Sequence, residues 1–154
     1  MDRFAGTRRA PAATVIVLVT LLFVALVGTP ASAATDLERQ MLRITNASRD
    51  KHDVPPLRLD RGRTKKAHRH SAAMAANGEI FHTADAADFY LRGVRWSKWG
   101  ENVGRTEGEL GGLQDAFMDS QVHRGNILDR RFKKVGIGVV RRDGTAWVTL
   151  FFFG

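Results

Sequence analysis

The chain has 154 residues, no cysteine, 44% apolar and 26% charged residues, and a formal charge of +8. Those values exclude disulfide scaffolds and thiolate sites and describe an ordinary globular domain, not a disordered one. The length fits one domain able to close a core without metal or disulfide, and excludes a multidomain enzyme.

The first 33 residues read as an export signal. Basic Arg8 and Arg9 precede an uncharged run over 12–27, then Pro30 and the small triplet Ala31, Ser32, Ala33. The pattern predicts a signal peptide over 1–33, cleaved after Ala33, and a domain over 34–154 that works secreted, extracellular or at the cell envelope. The alternative is an uncleaved anchor, which would tie the domain to a membrane. Arg3, Arg8, Arg9 and Asp2 account for +2, so the domain itself carries about +6. That balance favours anionic polymers or membrane surfaces. The basic residues do not interleave with aromatics as a base-stacking surface would, so no specific nucleic-acid partner is expected.

Thr35 and Glu38 have capping-box spacing, with Leu37, Met41, Ile44 and Thr45 on one helical face, which predicts a first helix over 36–49. Val54, Pro55 and Pro56 break it. Leu57 and Leu59 lead to Asp60, the expected N-cap of a second helix ending near Gly78. On that helix Ala67, His70, Ser71 and Met74 share a face, and Arg61, Arg63, Lys65, Lys66 and Arg69 read as a solvated face. Asp85 with Asp88 starts a short third helix through Phe89 and Leu91, stopped by Gly93. An aromatic strand-like segment follows from Trp96 to Val103. Thr106 and Glu109 form a second capping box for a fourth helix to about Ser120, with Leu110, Leu113 and Phe117 inward. Its Gly111 and Gly112 weaken it or let it pack closely.

The last third changes period. Val135, Ile137 and Val139 alternate with Gly136 and Gly138, Asp143-Gly144 signals a hairpin, and 146–153 is apolar on both faces. A strand buried on both sides needs helices above and below it, so the expected fold is α+β, a three-layer α-β-α sandwich.

No nucleotide-binding glycine motif and no H-E-x-x-H is present. What remains is His82 after the second helix, Glu101 in the aromatic segment, and Asp119 and His123 near the end of the fourth. If that helix continued through Gln121, Asp119 and His123 would stand one turn apart. Two imidazoles and one or two carboxylates could hold Zn²⁺ or a similar divalent ion with a position left for water. The bland reading of lone histidines is packing or hydrogen bonding. His52 reads as exposed, His68 as lying among basic residues, and His70 as a core histidine hydrogen-bonded to backbone.

Phe81-His82-Thr83, Gly100-Glu101-Asn102-Val103, the segment 120–128 containing His123-Arg124-Gly125-Asn126-Ile127-Leu128, and Phe132 followed by Val135-Gly136-Ile137-Gly138-Val139 stand in an order that resembles the CAP superfamily. These are the cysteine-rich secretory, antigen 5 and pathogenesis-related proteins, whose shared unit is the SCP domain. The resemblance covers about 37–153 and fits a short bacterial branch without disulfides. It implies a sandwich with a central, mainly antiparallel sheet and an open cleft where two histidines and acidic residues meet. His82, Glu101 and His123 match the family positions. The second acidic position, often glutamate, is matched here by Asp119, one methylene shorter. The implied site is therefore a metal site of His82, His123, Glu101 and Asp119, with Zn²⁺ as the candidate cofactor and no organic one. Glu101 would orient a water or accept a hydrogen bond from a ligating ring.

Three functions fit these residues. The favoured one is a secreted binding module for a lipid, glycan or anionic envelope polymer, with a metal ion modulating it. A metal-dependent or Ser/His hydrolase would use Ser120 as the nearest nucleophile, at a helix end where serine more often serves hydrogen bonding. A basic surface protein adhering by charge would release at moderate salt. The segment 84–98 is expected at the cleft rim, with Phe89, Tyr90, Trp96 and Trp99 either walling the cleft or sealing the core.

Overall fold

The structure is a computed structural model and describes residues 35–154. The expected signal peptide and its cleavage site lie outside the described residues. In chain order the elements are α1 (Asp36–Asp50), β1 (Arg58–Leu59), α2 (Arg61–Asn77), α3 (Ala86–Leu91), β2 (Trp99–Thr106), α4 (Leu110–Asp119), α5 (Gln121–Ile127), β3 (Lys134–Arg142) and β4 (Thr145–Phe153).

The helix starts follow local chemistry. Thr35 Oγ1 accepts the Glu38 amide at 3.2 Å while Glu38 Oε2 accepts the Thr35 amide at 2.8 Å, so the first capping box is complete. Asp60 caps α2 by accepting from the Arg63 amide, and Gly78 ends that helix at φ +69°, a backbone region where a side chain would be strained.

The four strands form one sheet in the order β1-β3-β4-β2, with β1 parallel to β3 and the other pairs antiparallel. Strand β4 lies inside the sheet and is buried on both faces, as its composition requires. Trp147, Phe151 and Phe153 face α2 and α3, meeting Ala67, Met74, Tyr90 and Leu91. Val148, Leu150 and Phe152 face the other way, into the larger core with Met41, Leu113, Phe117 and Ile127. Each such fully buried side chain stabilises the fold by about 1.5–3 kcal/mol. The result is the expected α+β three-layer sandwich. Helix α2 sits so close to β3 that a Cβ on Gly138 would collide with the Ala67 backbone, and one on Gly136 would come within 2.5 Å of Arg63 Cβ. The glycines that alternate along β3 are therefore the seat of α2.

A fully buried guanidinium bolts the far side. Arg49, at the end of α1, donates to the carbonyls of Pro55 (2.8 Å), Ile127 (2.6 Å), Asp129 (3.2 Å) and Phe132 (3.3 Å). Burial holds its pKa below the ordinary arginine value. No periodicity argument would place a charge there, because the position falls on the apolar face of α1.

Several local expectations are corrected. Thr106 and Glu109 form no capping box: Thr106 Oγ1 accepts from the Gly108 amide, and Glu109 stands at the N-cap without a side-chain bond. The aromatic strand runs from 99 to 106, not 96 to 103, because its register is set by pairing with β4. Asp85 precedes α3 in the left-handed region (φ +46°) and makes no capping bond. Gly111 and Gly112 have open space around the Cβ position, so they weaken α4 without serving close packing. The basic run on α2 is only partly solvated: Arg63 donates to the Tyr90 carbonyl, and Lys66 to those of Phe89 and Tyr90, tying α2 to α3. Among the described residues no helix is long and apolar enough to cross a membrane.

Candidate functional site

Strand β2 lies at the sheet edge, and its Gly-Glu-Asn-Val segment assembles the site one residue at a time. A Cβ on Gly100 would come within 2.5 Å of Asn126 Oδ1, so the missing side chain lets α5 approach. Glu101 points to the α2 side, where it meets His82. Asn102 is fully buried on the other side, donating to the His123 carbonyl at 3.0 Å and accepting from Asn126 Nδ2 at 2.8 Å. Val103 packs with Met74, Ala75 and Trp147. Alternation along one strand thus carries a side chain to each half of the site.

Glu101 is 7% exposed and its carboxylate is fully engaged on the inner side. Oε1 lies 2.9 Å from His82 Nδ1 and accepts from the Thr83 amide at 2.9 Å, while Oε2 accepts from the Thr83 hydroxyl at 2.7 Å. The acid therefore fixes the imidazole through Nδ1 and leaves Nε2 to the outside, on a ring 65% exposed. His123 comes from α5, its ring 5.0 Å from that of Phe117. Burial lowers its pKa, and the nearby charge of His82 lowers it further, so the two rings from opposite layers share an electrostatic environment over the strand edge.

Asp119 does not share a continuous helix with His123. The chain breaks at Ser120 (φ −86°, ψ 120°), where α4 ends and α5 begins. Asp119 is exposed, and among the described residues its side chain makes no hydrogen bond or ion pair. The conditional one-turn spacing therefore fails, for want of an unbroken helix. Among the described residues no group of three or more His, Asp or Glu side chains gathers closely enough to hold a metal ion. His82 and His123 would leave an ion only two imidazole donors, fewer than the three or four protein ligands of a zinc centre.

A cleft of about 390 Å³ opens beside His82, lined by Ala73, Phe81, Phe89, Arg69, His70 and Thr83 among others. Of the four aromatic candidates only Phe89 lines it. Tyr90 is fully buried, stacked on Phe151 at 3.9 Å, and burial raises the pKa of its hydroxyl. Trp99 stacks on Phe151 at 5.8 Å, and Trp96 is 44% exposed.

The remaining histidines separate clearly. His52 is exposed, with Nδ1 2.8 Å from the Ser48 carbonyl. His68 pairs through Nδ1 with buried Glu38 Oε1 at 2.9 Å, a partner hidden from the sequence because it lies on another helix. His70 is buried, but its Nδ1 meets the Thr149 hydroxyl at 3.0 Å in place of the expected backbone group, and its Nε2 has no partner. Burial lowers its pKa, opposed by the Glu101 charge. Its place on the α2 face that bears Ser71 and Met74 was readable; its proximity to the site depended on where the loop after α2 returns.

Fold and site together describe an SCP-type sandwich, and the sequence matches the model of the cysteine-rich secretory protein family, CAP, over residues 42–152. The chain belongs to that family. It is 28% identical over 125 residues to the uncharacterized protein YkwD of Bacillus subtilis, a match covering 78% of this chain and 48% of that protein. Among solved structures it is similar to an extracellular protein with an SCP domain from Bacillus anthracis (28% identity, TM-score 0.65, covering 76% of this chain and 40% of that one). An outer surface protein of Borrelia burgdorferi shares the fold at 16% identity and TM-score 0.68, covering 79% of this chain and 95% of that one. The chain spans about half or less of the length of the two Bacillus proteins.

Proposed function

We propose that this protein is an exported CAP-domain binding module whose cleft beside the His82–Glu101 pair takes an apolar component of the cell envelope. The observation that carries this reading is the cleft itself: a hollow of about 390 Å³ whose walls include Ala73, Phe81 and Phe89, with a few polar groups at its edge. A volume in the range of small-ligand sites, mainly apolar walls and sparse polar anchors are the features of a binding pocket. The same lining gives little support to hydrolysis. The Thr83 hydroxyl is spent on Glu101, and Ser120 stands at the α4–α5 junction without lining the cleft.

A divalent ion, when bound, would be held by His82 Nε2 and the His123 ring and would supply a positive point charge at the cleft mouth. Glu101 would act on it through His82, holding the ring in one orientation and raising its basicity. Export is supported by the signal-like start of the chain and by the extracellular description of the Bacillus anthracis protein.

Native mass spectrometry of the protein recovered from culture medium tests this reading. The expected result is a chain beginning at Ala34 with an apolar small molecule retained. A protein that stays in the cytoplasm, or that binds envelope fractions only at low ionic strength and regardless of cleft substitutions, would replace it with adhesion by charge.

A further inference from the structure

The sheet edge formed by β1, across the sheet from β2, gathers cations against its own electrostatics. Arg58 of β1 and Lys134 of β3 are in-register partners of the parallel pair, so their side chains leave the sheet on one face, that of α2. Like charges set directly opposite on neighbouring strands are destabilising. Helix α2 follows β1 after the single residue Asp60, and Arg61 and Lys65 stand one turn apart on it, a like-charge spacing that also weakens a helix. All four cations are exposed, and Arg130 and Lys133 add two more exposed cations on the approach to β3.

The nearby acids are already engaged elsewhere. Among the described residues Arg58, Arg61 and Lys65 make no side-chain hydrogen bond or ion pair, and Lys134 Nζ stands over the Phe153 ring, 5.8 Å from its centroid. Asp60 accepts from the Arg63 amide at 3.0 Å and lies 3.6 Å from the Arg63 guanidinium. Asp129 is held by Lys98 and Arg131, and the Asp53 carbonyl accepts from Arg130. A foldable sequence keeps its local choices consistent with the whole, and the exceptions concentrate at functional sites. Here the same conflict recurs on the strand pair and on the helix, and three of its four cations are unspent.

From this placement we propose that the β1 edge holds a linear phosphodiester polymer of the cell envelope, its successive phosphates neutralising Arg58, Arg61, Lys65 and Lys134. Cations spread over two strands and a helix suit a chain of phosphates better than a single anion, and arginine forks match phosphate oxygens. A nucleic acid would want aromatic faces for its bases, and the exposed indoles, Trp96 and Trp99, lie in and before β2 at the other edge. A bilayer would want apolar side chains to bury. Among the described residues the exposed large apolar ones are Ile80, Trp96, Trp99 and Val122, none of them on β1, β3 or α2. The surface uses no residue that lines the cleft beside His82, so either reading can fail alone.

The test is titration of the protein with poly(glycerol phosphate), with oligodeoxythymidylate of the same phosphate number, with phosphatidylglycerol vesicles and with inorganic phosphate. The polymer should bind, and with about four phosphates engaged its affinity should fall roughly 50-fold between about 50 and 200 mM salt. A triple variant, Arg58→Gln with Arg61→Gln and Lys65→Gln, should lose most of that affinity and flatten the salt dependence. It should melt no lower than the wild type, because it relieves repulsion. A second triple variant, Arg105→Gln with Arg141→Gln and Arg142→Gln, removes the same charge at the far ends of β2 and β3 and should bind nearly as the wild type does. Equal losses in the two variants would reduce binding to net charge, and a lower melting temperature in the first would show that its cations serve the fold; either overturns the proposal. So does absence of polymer binding, tighter binding of the oligonucleotide or the vesicles, or inorganic phosphate binding as tightly as the polymer.

Discussion

Two carboxylate–imidazole pairs in this molecule are almost identical in their chemistry and different in what surrounds them. Glu38 and His68 meet at 2.9 Å through Oε1 and Nδ1, and so do Glu101 and His82. In each the acid side chain is nearly sealed, 3% and 2% exposed, and the ring is the outer partner, 44% and 65% exposed. Glu38 spends its other oxygen on the Thr35 amide, and the pair ties the start of α1 to α2. Glu101 spends its other oxygen on Thr83, and its histidine lines an apolar cleft within electrostatic reach of His123. The pair alone is a strut; what makes the second one a candidate site is an edge strand where two layers bring their loops together.

The largest effect is expected where the two regions are joined. Arg49 leaves the helix that bears Glu38 and grips the end of α5, which bears His123. Arg49→Met would leave the carbonyls it serves short of donors and should cost about 3–5 kcal/mol of stability by denaturant unfolding, as for a broken buried polar network. A loss below about 1 kcal/mol would mean those carbonyls find water.

Substitution of the two acids sharpens the comparison. Glu101→Gln should weaken zinc binding about 10- to 100-fold, because a ligating ring would lose its orienting carboxylate. Glu38→Gln should leave zinc binding unchanged, and the His82→Ala, His123→Ala double variant should abolish it in calorimetric titration. Equal zinc affinity in the wild type and the double variant would remove the ion from the site.

A smaller effect is expected from pH. The pKa values of His70 and His123 are lowered by burial, so the folded state favours their neutral forms. Their contribution is full above the ordinary histidine value of about 6.5 and is lost as pH falls through it toward the lowered folded values. The melting temperature should therefore drop between about pH 7 and pH 5, and His70→Phe should flatten that slope. Zinc binding should weaken over the same interval as the His123 ring protonates.

The sequence carried much of this architecture because the sandwich is built from local rules. A complete capping box, an Asp N-cap, a terminal glycine and the change to period two over the last third placed α1, α2, β3 and β4 and the layering around them. The errors fall where tertiary contacts decide. The bounds of β2 follow the register of β4, the break at Ser120 separates α4 from α5, and Thr106 turns back to Gly108 before it can cap a helix. His82, Glu101 and His123 were legible through their motifs, and the Gly-Glu-Asn-Val segment had a physical reason that only the packing against Asn126 exposes. Arg49 and His70 were not legible as partners, since both sit on faces whose spacing reads as plain core and whose hydrogen-bond partners lie 78 or more positions away or across a turn.

The most direct test of a shared two-histidine site is the titration of His123 followed by NMR in the wild type and in His82→Gln. If the rings meet over the edge of β2, removing the His82 charge relieves its repulsion and the His123 pKa rises, while that of His52 stays fixed. An unchanged His123 titration would place the two imidazoles in separate environments and contradict the account.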